Sequence, residues 1–346
     1  MPEIKPTALI TGATGAIGSV LVGQLLEHGY EVRALVRSAQ GRLPEAVKIF
    51  KGEITDCHAL REAAAGTDVI FHLAAKLHIN NPAPALKADY RRINVDGTRC
   101  LVEAAQAAGV RRLVFFSTIN VYGPSRPRQV LNEDSPLRPD SWYAETKIEG
   151  EQIALAGVPA VVLRLAAVYG PGMKGNYVRL LNALRRRRFA MIGDGRNRRT
   201  LVHMNDACAA ALAAARHRGA AGRIYNVTDG RIHTLREIIE AMSSALSRRP
   251  PRFHLPVWPV RLAAGLIEDG LNLVGKRSPV GRATVDKFIE DIAVAGTLIE
   301  NELGYRPRYD LAAGWRETVS LETYPSRRWT SDDIHLRTEA VPKSQL

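Results

Sequence analysis

Cysteine is scarce in this chain, and long apolar runs are missing. Only Cys57, Cys100 and Cys208 are present among 346 residues, an odd number without CxxC spacing. Such a set indicates neither a disulfide framework nor a zinc site, so we expect three reduced thiols and no metal centre. No stretch approaches the roughly 18 consecutive apolar residues of a membrane-spanning helix, so we expect no transmembrane segment. The N-terminal residues lack the pattern of a secretory signal, which makes the cytoplasm the expected location.

Aromatic residues are also few, at 6% of the chain, although the formal net charge is +13. A basic nucleic-acid-binding protein usually adds a recognisable binding fold or aromatic residues interleaved with the basic ones. Here the excess charge lies in short arginine clusters within 185–188, 196–199, 248–249 and 327–328. We therefore expect no nucleic-acid partner, and we interpret the clusters as a solvated basic face or a site for a phosphorylated substrate.

The order of apolar segments predicts the fold class. Short apolar runs alternate with helical patterns through the first half, as in repeated strand-helix-strand units. The predicted strands are 8–11, 31–36, 47–50, 69–73, 112–117 and 160–165. We therefore predict an α/β fold with a doubly wound parallel sheet of the Rossmann type, covered by helices on both faces, and a smaller C-terminal substrate lobe.

A change of composition after Gly170 marks the expected domain boundary. Residues 1–170 form the predicted dinucleotide-binding domain, and residues 171–325 form a substrate-binding lobe that is partly interwoven with it. Helices of the lobe are expected near 177–187, 206–216 and 235–246. Residues 326–346 mix charges with little periodicity and are predicted to be a flexible tail.

A glycine-rich turn, TGATGAIG at residues 11–18, follows the first predicted strand. Glycines in such a turn let the chain bend sharply, let a pyrophosphate approach the backbone and let the next helix pack against the sheet. The N-terminus of that helix offers amide donors to phosphate. The context predicts dinucleotide binding by Gly12, Thr14, Gly15, Ala16, Ile17 and Gly18.

The turn resembles the TGxxGxxG pattern of extended short-chain dehydrogenases/reductases, and further motifs follow in the order of that family. They are FHLAA at 71–75, NVDGT at 94–98, ST at 117–118, YAETK at 143–147, RLAAVYGPG at 164–172 and GDGRNRRTLV at 193–202. The resemblance is to the NAD-dependent epimerase/dehydratase branch, which acts on nucleotide-sugars. It implies an enzyme with an NAD(P) cofactor and, by the habit of the family, a homodimer.

Several residues are expected to contact the cofactor because of this resemblance. Arg37 follows the second strand, where NAD-preferring enzymes usually carry an acid and an arginine accommodates the 2′-phosphate of NADP. This favours NADP, with the alternative that Arg37 merely lies against adenine or solvent. For Asn94, a role in shaping its helix is favoured over direct contact. The cofactor contacts that the family implies in this part of the chain are Glu53, Ile54, Leu73, Ala74, Ala75 and Asn94.

The YAETK motif supplies the predicted proton-transfer group. Tyr143 and Lys147 are four residues apart, so a helix places them on one face. An ammonium about 4 Å from the phenol contributes roughly 4 kcal/mol at an effective dielectric of about 20. We therefore expect Lys147 to lower the pKa of Tyr143 from about 10 towards neutrality. By the resemblance, both residues also contact the cofactor, and Thr118 holds the substrate oxygen, with Ser117 as the alternative hydroxyl.

The motifs define the substrate less closely. Dehydratases of the family carry Asp-Glu after the threonine, whereas this chain has Ile119 and Asn120, which argues against a 4,6-dehydratase. RLAA at 164–167 lacks the asparagine of the RYFN usual in UDP-hexose 4-epimerases, which argues against a galactose-type enzyme. Arg199 falls where relatives grip the diphosphate, with a solvated basic cluster as the alternative. Asn176 lies where they often hold the nucleotide.

Three functions therefore stay open. The first is a 4-epimerase or 4-keto reductase acting on a nucleotide-sugar. The second is a 3β-hydroxysteroid dehydrogenase-like enzyme for an apolar alcohol or ketone, suggested by the apolar stretch at 254–288. That stretch could also lie on a membrane surface or pack in the core. The third is a non-catalytic dinucleotide-sensing protein that uses its basic face on a partner.

Overall fold

The computed structural model describes residues 5–38, 43–79, 82–126, 128–251, 253–274, 278 and 281–323. Its strands are β1 (Thr7–Thr11), β2 (Glu31–Val36), β3 (Lys48–Lys51), β4 (Val69–His72), β5 (Arg112–Thr118), β6 (Ala160–Leu165), β7 (Ala167–Tyr169), β8 (Met191–Ile192), β9 (Arg198–Arg199), β10 (Leu201–His203), β11 (Ile224–Val227), β12 (His233–Thr234) and β13 (His254–Leu255). Its helices are α1 (Ala16–Glu27), α2 (Cys57–Ala64), α3 (Leu86–Arg91), α4 (Gly97–Ala107), α5 (Trp142–Gly157), α6 (Asn176–Arg185), α7 (Met204–Arg216), α8 (Leu235–Ala245), α9 (Val257–Leu273), α10 (Arg282–Ile289), α11 (Thr297–Leu303) and α12 (Leu311–Thr323). The predicted tail at 326–346 lies outside the described residues.

Seven parallel strands form the central sheet, in the order β11-β6-β5-β4-β1-β2-β3. Every residue of β1, β5 and β6 is buried, because helices cover both faces of the sheet. The strand order is that of a doubly wound dinucleotide-binding sheet. The predicted fold class is therefore confirmed. β11 comes from the C-terminal half of the chain and adds the last strand to the sheet that the N-terminal half builds.

Helices cover both faces of the sheet. On one face, Leu21 and Leu25 of α1 share a core with Ala211 of α7. On the other face, Leu60 of α2 and Leu101 of α4 belong to a second core. Removal of these apolar side chains from water is the main stabilising term for the two layers.

A third core forms the smaller lobe. It joins Leu181 of α6, Ile238 and Met242 of α8 and Trp315 of α12 to Tyr169 at the end of β7. The rings of Tyr169 and Trp315 are stacked with centroids 4.6 Å apart, so they pack as an aromatic pair. Within the described ranges, no helix is long and apolar enough to cross a membrane.

The cysteine expectation is wrong for one pair. Cys57 and Cys100 form a disulfide, with Cα atoms 5.1 Å apart, and Cys208 is a free, buried thiol. The two bonded cysteines lie 43 residues apart in the sequence but come together because α2 and α4 pack side by side on the same sheet face. Sequence spacing alone carries no sign of this contact.

Candidate active site

The candidate site lies where the sheet changes direction. After β1 the chain builds β2 and β3 on one side, whereas β4, β5 and β6 lie on the other. In open α/β sheets, ligands bind in the crevice at the carboxyl ends of the strands at such a point. The glycine turn follows β1 and residues 73–75 follow β4, so both lie at this crevice.

The glycine turn has the shape that a dinucleotide requires. Gly12 has a φ of +80°, and a Cβ there would lie 2.9 Å from the Ala74 nitrogen. A Cβ on Gly18 would overlap the Gly12 carbonyl oxygen, so α1 packs against the turn only because the residue is glycine. Thr14 and Gly15, the two residues before α1, are exposed. The open N-terminus of this helix therefore fits a pyrophosphate, whose negative charge it stabilises.

The remaining predicted cofactor contacts in the glycine turn and in the segment after β4 line the two walls of the crevice. Thr11 fixes the facing segment, because its carbonyl oxygen accepts from the Leu73 nitrogen at 3.1 Å and its Oγ1 accepts from the Ala74 nitrogen at 3.3 Å. These bonds hold the two walls of the crevice together. The half-buried residues among the predicted contacts here are Ala16, Ile17, Leu73, Ala74 and Ala75.

A buried histidine also ties the ends of β1 and β4 to α4. His72 Nδ1 lies 2.7 Å from Thr11 Oγ1, and His72 Nε2 lies 3.0 Å from Thr98 Oγ1. Because the Thr98 hydroxyl donates to the Asn94 carbonyl oxygen, it accepts from Nε2–H, and Nδ1 accepts from Thr11. Burial lowers the pKa of His72 to about 3. The ring is therefore neutral near pH 7 and supports the framework.

Asn94 positions neighbouring segments from within a distorted helix. It lies in a π-helical turn over Arg92–Asp96, a distortion that is frequent at functional sites. Its amide nitrogen donates to the Lys76 carbonyl oxygen and to Thr146 Oγ1, and its Oδ1 accepts from the Lys76 nitrogen. These bonds tie the segment after β4 to α5. The geometry supports the structural role, and direct cofactor contact stays a prediction.

Arg37, Glu53 and Ile54 lie near the carboxyl ends of β2 and β3. Arg37 is exposed directly after β2. The Glu53 carboxylate lies 3.4 Å from Arg92 Nη1. Ile54 packs against Gly97, where a Cβ would lie 2.9 Å from Ile54 Cγ2. The role of each residue toward the cofactor stays a prediction.

The two hydroxyls at the end of β5 have different partners. Ser117 Oγ donates to the Glu151 carboxylate, so its hydroxyl is committed to the interior. Thr118 Oγ1 accepts from the Asn120 nitrogen at 3.2 Å and caps the short 3-10 helix Ile119–Tyr122. Because that bond uses a lone pair, the Thr118 proton stays available for a substrate oxygen. Thr118 is therefore favoured over Ser117.

Helix α5 carries the predicted proton-transfer pair. Ser141 is its N-cap, and its Oγ accepts from the Ala144 nitrogen, which stabilises the first turn. Tyr143 lies in that turn and is half-buried. Lys147 is buried one turn later, and its Nζ lies 3.9 Å from the centroid of the Phe115 ring. Tyr143 and Lys147 share one face of α5, as the sequence predicts.

The acid/base balance of the pair differs from the sequence expectation. Burial raises the pKa of Tyr143 to about 12, and the nearby Tyr90 adds to this effect. Burial lowers the pKa of Lys147 to about 7, although Glu151 opposes it. The expected lowering of the Tyr143 pKa by Lys147 is therefore wrong for this structure, because burial disfavours the charged form of each group. Lys147 is instead the group that titrates near neutral pH.

Two further side chains beside the pair were not predicted to belong to the site. The His78 ring stands edge-on to the Tyr143 ring, with centroids 6.1 Å apart. Glu151 is buried in an ion pair with Arg164. Its i+4 spacing from Lys147 was a visible signal, whereas nothing in the residue order connects His78 with Tyr143.

The predicted substrate residues lie on elements of the smaller lobe. Arg199 in β9 donates to the carbonyl oxygens of Lys287, Phe288 and Glu290, so it caps the C-terminal end of α10. A guanidinium has five N–H groups, and capping engages only some of them, so diphosphate binding stays a prediction. Asn176 is exposed at the first position of α6. Thr118, Tyr143 and Lys147 thus lie on elements of the sheet domain, whereas Arg199 and Asn176 lie on β9 and α6 of the smaller lobe.

Comparison with known proteins identifies the family. The family model described as NAD dependent epimerase/dehydratase family matches residues 8–228. The 4-hydroxy-2-methyl-3-oxo-4-farnesyl-3,4-dihydroquinoline-1-oxide ketoreductase of Stigmatella aurantiaca is 31% identical over 310 residues, covering 86% of this chain and 91% of its own. The N-acetyl-alpha-D-glucosaminyl-diphospho-ditrans,octacis-undecaprenol 4-epimerase of Escherichia coli O157:H7 is 25% identical over 339 residues, covering 96% of this chain and 98% of its own.

A solved structure shares the fold over nearly the whole chain. MoeE5, in complex with UDP-glucuronic acid and NAD, superposes with a TM-score of 0.73 at 26% identity. The match covers 92% of this chain and 99% of MoeE5. The chain therefore belongs to the NAD dependent epimerase/dehydratase family and is an NAD(P)-dependent enzyme of the short-chain dehydrogenase type.

Proposed function

We propose that the protein catalyses hydride transfer at a sugar carbon of a nucleotide-sugar, as a 4-epimerase or a 4-keto reductase. The observation that carries this proposal is Thr118 at the end of β5, beside the helix that bears Tyr143 and Lys147, at the sheet edge of the glycine turn. A hydroxyl and a proton-transfer pair at a dinucleotide crevice suit the interconversion of an alcohol and a ketone. The likeness to MoeE5, solved with UDP-glucuronic acid, supports a nucleotide-sugar as the substrate.

Each residue of the group has a separate task. Bound NAD(P) supplies the hydride acceptor or donor. Thr118 donates its hydroxyl proton to the substrate oxygen and fixes its orientation. In reduction the neutral Tyr143 phenol, whose pKa is about 12, donates a proton to the substrate oxygen. In oxidation its ionised form takes up the proton of the substrate hydroxyl. Lys147, with a pKa of about 7, is partly protonated at neutral pH, and its ammonium form favours the ionised phenol.

The first test identifies the nucleotide that is released when the freshly purified protein is denatured. An epimerase must hold its hydride carrier between the two half-reactions, so near-stoichiometric NAD supports the epimerase. A reductase exchanges its cofactor in every cycle, so an empty site that binds NADPH supports the reductase. A protein that neither retains nor binds a nicotinamide dinucleotide overturns the proposal.

The second test removes the proton-transfer group. We expect Tyr143→Phe to lower turnover of UDP-glucose or UDP-glucuronic acid by about 10² to 10⁴-fold, while cofactor affinity stays within a factor of about three. Tyr30→Phe is the matched control, because Tyr30 lies directly before β2, at the opposite edge of the sheet. Equal turnover in the wild type and Tyr143→Phe would contradict the assigned chemistry.

Cofactor preference depends on Arg37 in this proposal. Its exposed guanidinium after β2 suits the 2′-phosphate of NADP. We expect Arg37→Ala to weaken NADPH binding by about 10 to 100-fold, the equivalent of one charged hydrogen bond, and to leave NADH binding unchanged. Lys51→Ala, an exposed cation at the end of β3, is the control in titration calorimetry. An equal loss of affinity for NADPH and NADH would show that Arg37 does not determine the cofactor preference.

A second candidate function is the reduction of an apolar ketone. It is favoured by Arg199, whose guanidinium is engaged by three carbonyl oxygens, and by likeness to a ketoreductase that acts on a farnesylated compound. The test is the decrease of NADPH absorbance with sterol and long-chain ketones in place of nucleotide-sugars. Turnover of these ketones without turnover of any nucleotide-sugar would replace the first candidate, and the reverse result would end the second.

A further inference from the structure

The outer face of α9 is apolar, the reverse of the usual pattern for a surface helix. Trp258, Leu262, Leu266 and Leu273 are 72%, 54%, 65% and 88% exposed. Their spacing of four, four and seven residues places them in one stripe along the helix. The residues of α9 that are buried are small, Ala264 and Gly265. The helix thus turns its large apolar side chains to solvent.

The apolar surface continues beyond α9. Ile267 and Val274 are also exposed beside the stripe, and so are Phe253 and Leu255 in and before β13. The charges that flank this surface are neutralised in pairs, because Arg261 is bonded to Asp286 and Arg282 to Asp269. Contiguous apolar patches of this kind mark sites of interaction in soluble proteins.

An arginine patch borders the same surface. Arg248 Nη1 donates to the carbonyl oxygens of Leu184 and Arg185, which joins the end of α8 to the end of α6. The exposed side chains Arg186, Arg187, Arg188 and Arg249 surround this junction. We call the arginines at 186–188 and 248–249 the arginine patch.

The patch and the apolar surface meet at a short strand pair. β8 follows α6 and pairs with β13, with Met191 opposite His254. Arg249 and Met191 line one surface cavity. The β8–β13 pair therefore joins the segment that carries the arginine patch to the segment that leads into α9.

We propose that the outer face of α9 and the arginine patch form a docking surface for an anionic lipid bilayer. Amphipathic helices on membranes bury apolar side chains at the boundary between headgroups and acyl chains, and nearby arginines bind the lipid phosphates. The positive charge of the arginine patch complements an anionic headgroup layer and favours this occupant, and a second copy of the chain is the alternative that the test below excludes. The enzyme then works at a membrane surface. This inference concerns location and goes beyond the proposed reaction.

The test is flotation of the full-length protein with phosphatidylcholine vesicles and with phosphatidylcholine/phosphatidylglycerol vesicles, at low and high salt. We expect binding to the anionic vesicles only, weakened by salt. Each arginine contributes about fivefold at low salt, so Arg187→Ser with Arg188→Ser together lower the affinity by about 25-fold. Leu262→Ser, Leu266→Ser and Leu273→Ser in one chain reduce the bound fraction to background at every salt concentration.

A matched control and a second readout keep the test decisive. Ile49→Ser with Val130→Ser changes two exposed apolar side chains elsewhere on the surface, and we expect it to bind like the wild type. Trp258 emission shifts to the blue when anionic vesicles are added, and this shift is absent in Trp258→Phe. Circular dichroism checks that each variant is folded.

Two results would overturn the proposal. One is no flotation of the wild type with anionic vesicles at low salt. The other is light scattering that shows a dimer converted to a monomer by the triple leucine variant, with vesicle binding unchanged, since the face would then belong to a second copy. The assay contains no sugar and no cofactor, so its failure leaves the proposed reaction untouched.

Discussion

The carboxylate of Glu151 and the guanidinium of Arg164 form a buried two-pronged ion pair, with Nε to Oε1 at 3.1 Å and Nη2 to Oε2 at 2.7 Å. Ser117 also donates to this carboxylate, and Arg164 donates to the Tyr122 hydroxyl at 2.9 Å. Glu151 lies one helical turn beyond Lys147, whose pKa it raises against the effect of burial. The pair therefore connects the stability of the domain with the charge of a residue in the candidate active site.

Glu151→Gln tests this connection. The substitution leaves Arg164 as a buried cation without its counter-charge, so we expect the free energy of unfolding to fall by about 3 to 5 kcal/mol. It also removes the charge that raises the pKa of Lys147, so that pKa falls further below its value of about 7. Urea unfolding measures the first effect, and an NMR titration of isotope-labelled lysine measures the second.

Glu149→Gln is the matched control on the same helix. Glu149 pairs with Arg91 at 2.7 Å, but both side chains are partly exposed to solvent, where such a pair contributes up to about 1 kcal/mol. We expect a small change in stability and no change in the titration of Lys147. Equal effects of the two substitutions would show that the buried pair of Glu151 and Arg164 contributes no more to stability than the exposed pair of Glu149 and Arg91.

Local patterns made the sheet and the helix face that carries Tyr143 and Lys147 predictable. The predicted strands 31–36 and 160–165 have the bounds of β2 and β6, because strands of a covered parallel sheet are rich in apolar residues. The shared face of Tyr143 and Lys147 follows from helical spacing alone. The glycine turn was recognisable because the backbone conformation that requires its glycines is set within eight consecutive residues.

Contacts between distant segments could not be read in this way. Glu151 meets Arg164 only when α5 lies against β6, and Cys57 meets Cys100 only when α2 lies beside α4. Sequence reasoning also weighed the attraction between Tyr143 and Lys147 without the desolvation that raises one pKa and lowers the other. Desolvation depends on the assembled fold, so it has no signal in the residue order.

The pH dependence of stability provides a test of the buried lysine. The pKa of Lys147 is 10.5 in the unfolded chain and about 7 in the folded protein. Between these values the unfolded state binds more protons, so the stability contribution of this group rises with pH, by at most about 1.4 kcal/mol per pH unit. Lys147→Met has no such group, so it is more stable than the wild type near pH 7.

Urea unfolding of both proteins from pH 7 to pH 9.5 measures the difference between their free energies of unfolding. We expect this difference to shrink as the pH rises. The pKa of His72, about 3, and that of Tyr143, about 12, lie outside this window. A difference that does not change with pH would mean that Lys147 keeps an ordinary pKa in the folded protein.

The glycine turn allows a comparison of two glycines with the same backbone conformation. Gly12 and Gly29 have φ values of +80° and +77°, but only Gly12 has backbone atoms where a Cβ would lie. We expect Gly12→Ala to weaken NAD(H) binding by at least about 100-fold, because the turn must move away from Ala74 and lose its fit to pyrophosphate. Titration calorimetry measures this affinity.

Gly29→Ala carries only the left-handed backbone penalty of about 1 to 2 kcal/mol. We expect it to lower the free energy of unfolding by that amount and to leave cofactor affinity unchanged. If both variants bind NAD(H) like the wild type, the glycine turn at Gly12 does not bind the dinucleotide.

The neighbouring hydroxyls at the end of β5 separate catalysis from stability. Thr118 keeps its proton for the substrate, so we expect Thr118→Val to lower kcat/KM by about 10²-fold, equivalent to about 2.7 kcal/mol of transition-state stabilisation. Ser117 donates to the Glu151 carboxylate, so Ser117→Ala leaves a buried acceptor with one bond fewer. That variant should unfold about 1 to 3 kcal/mol more easily while kcat/KM falls by less than about tenfold. Steady-state kinetics and urea unfolding of both variants decide the assignment, because a larger kinetic loss in Ser117→Ala would transfer the substrate hydroxyl to Ser117.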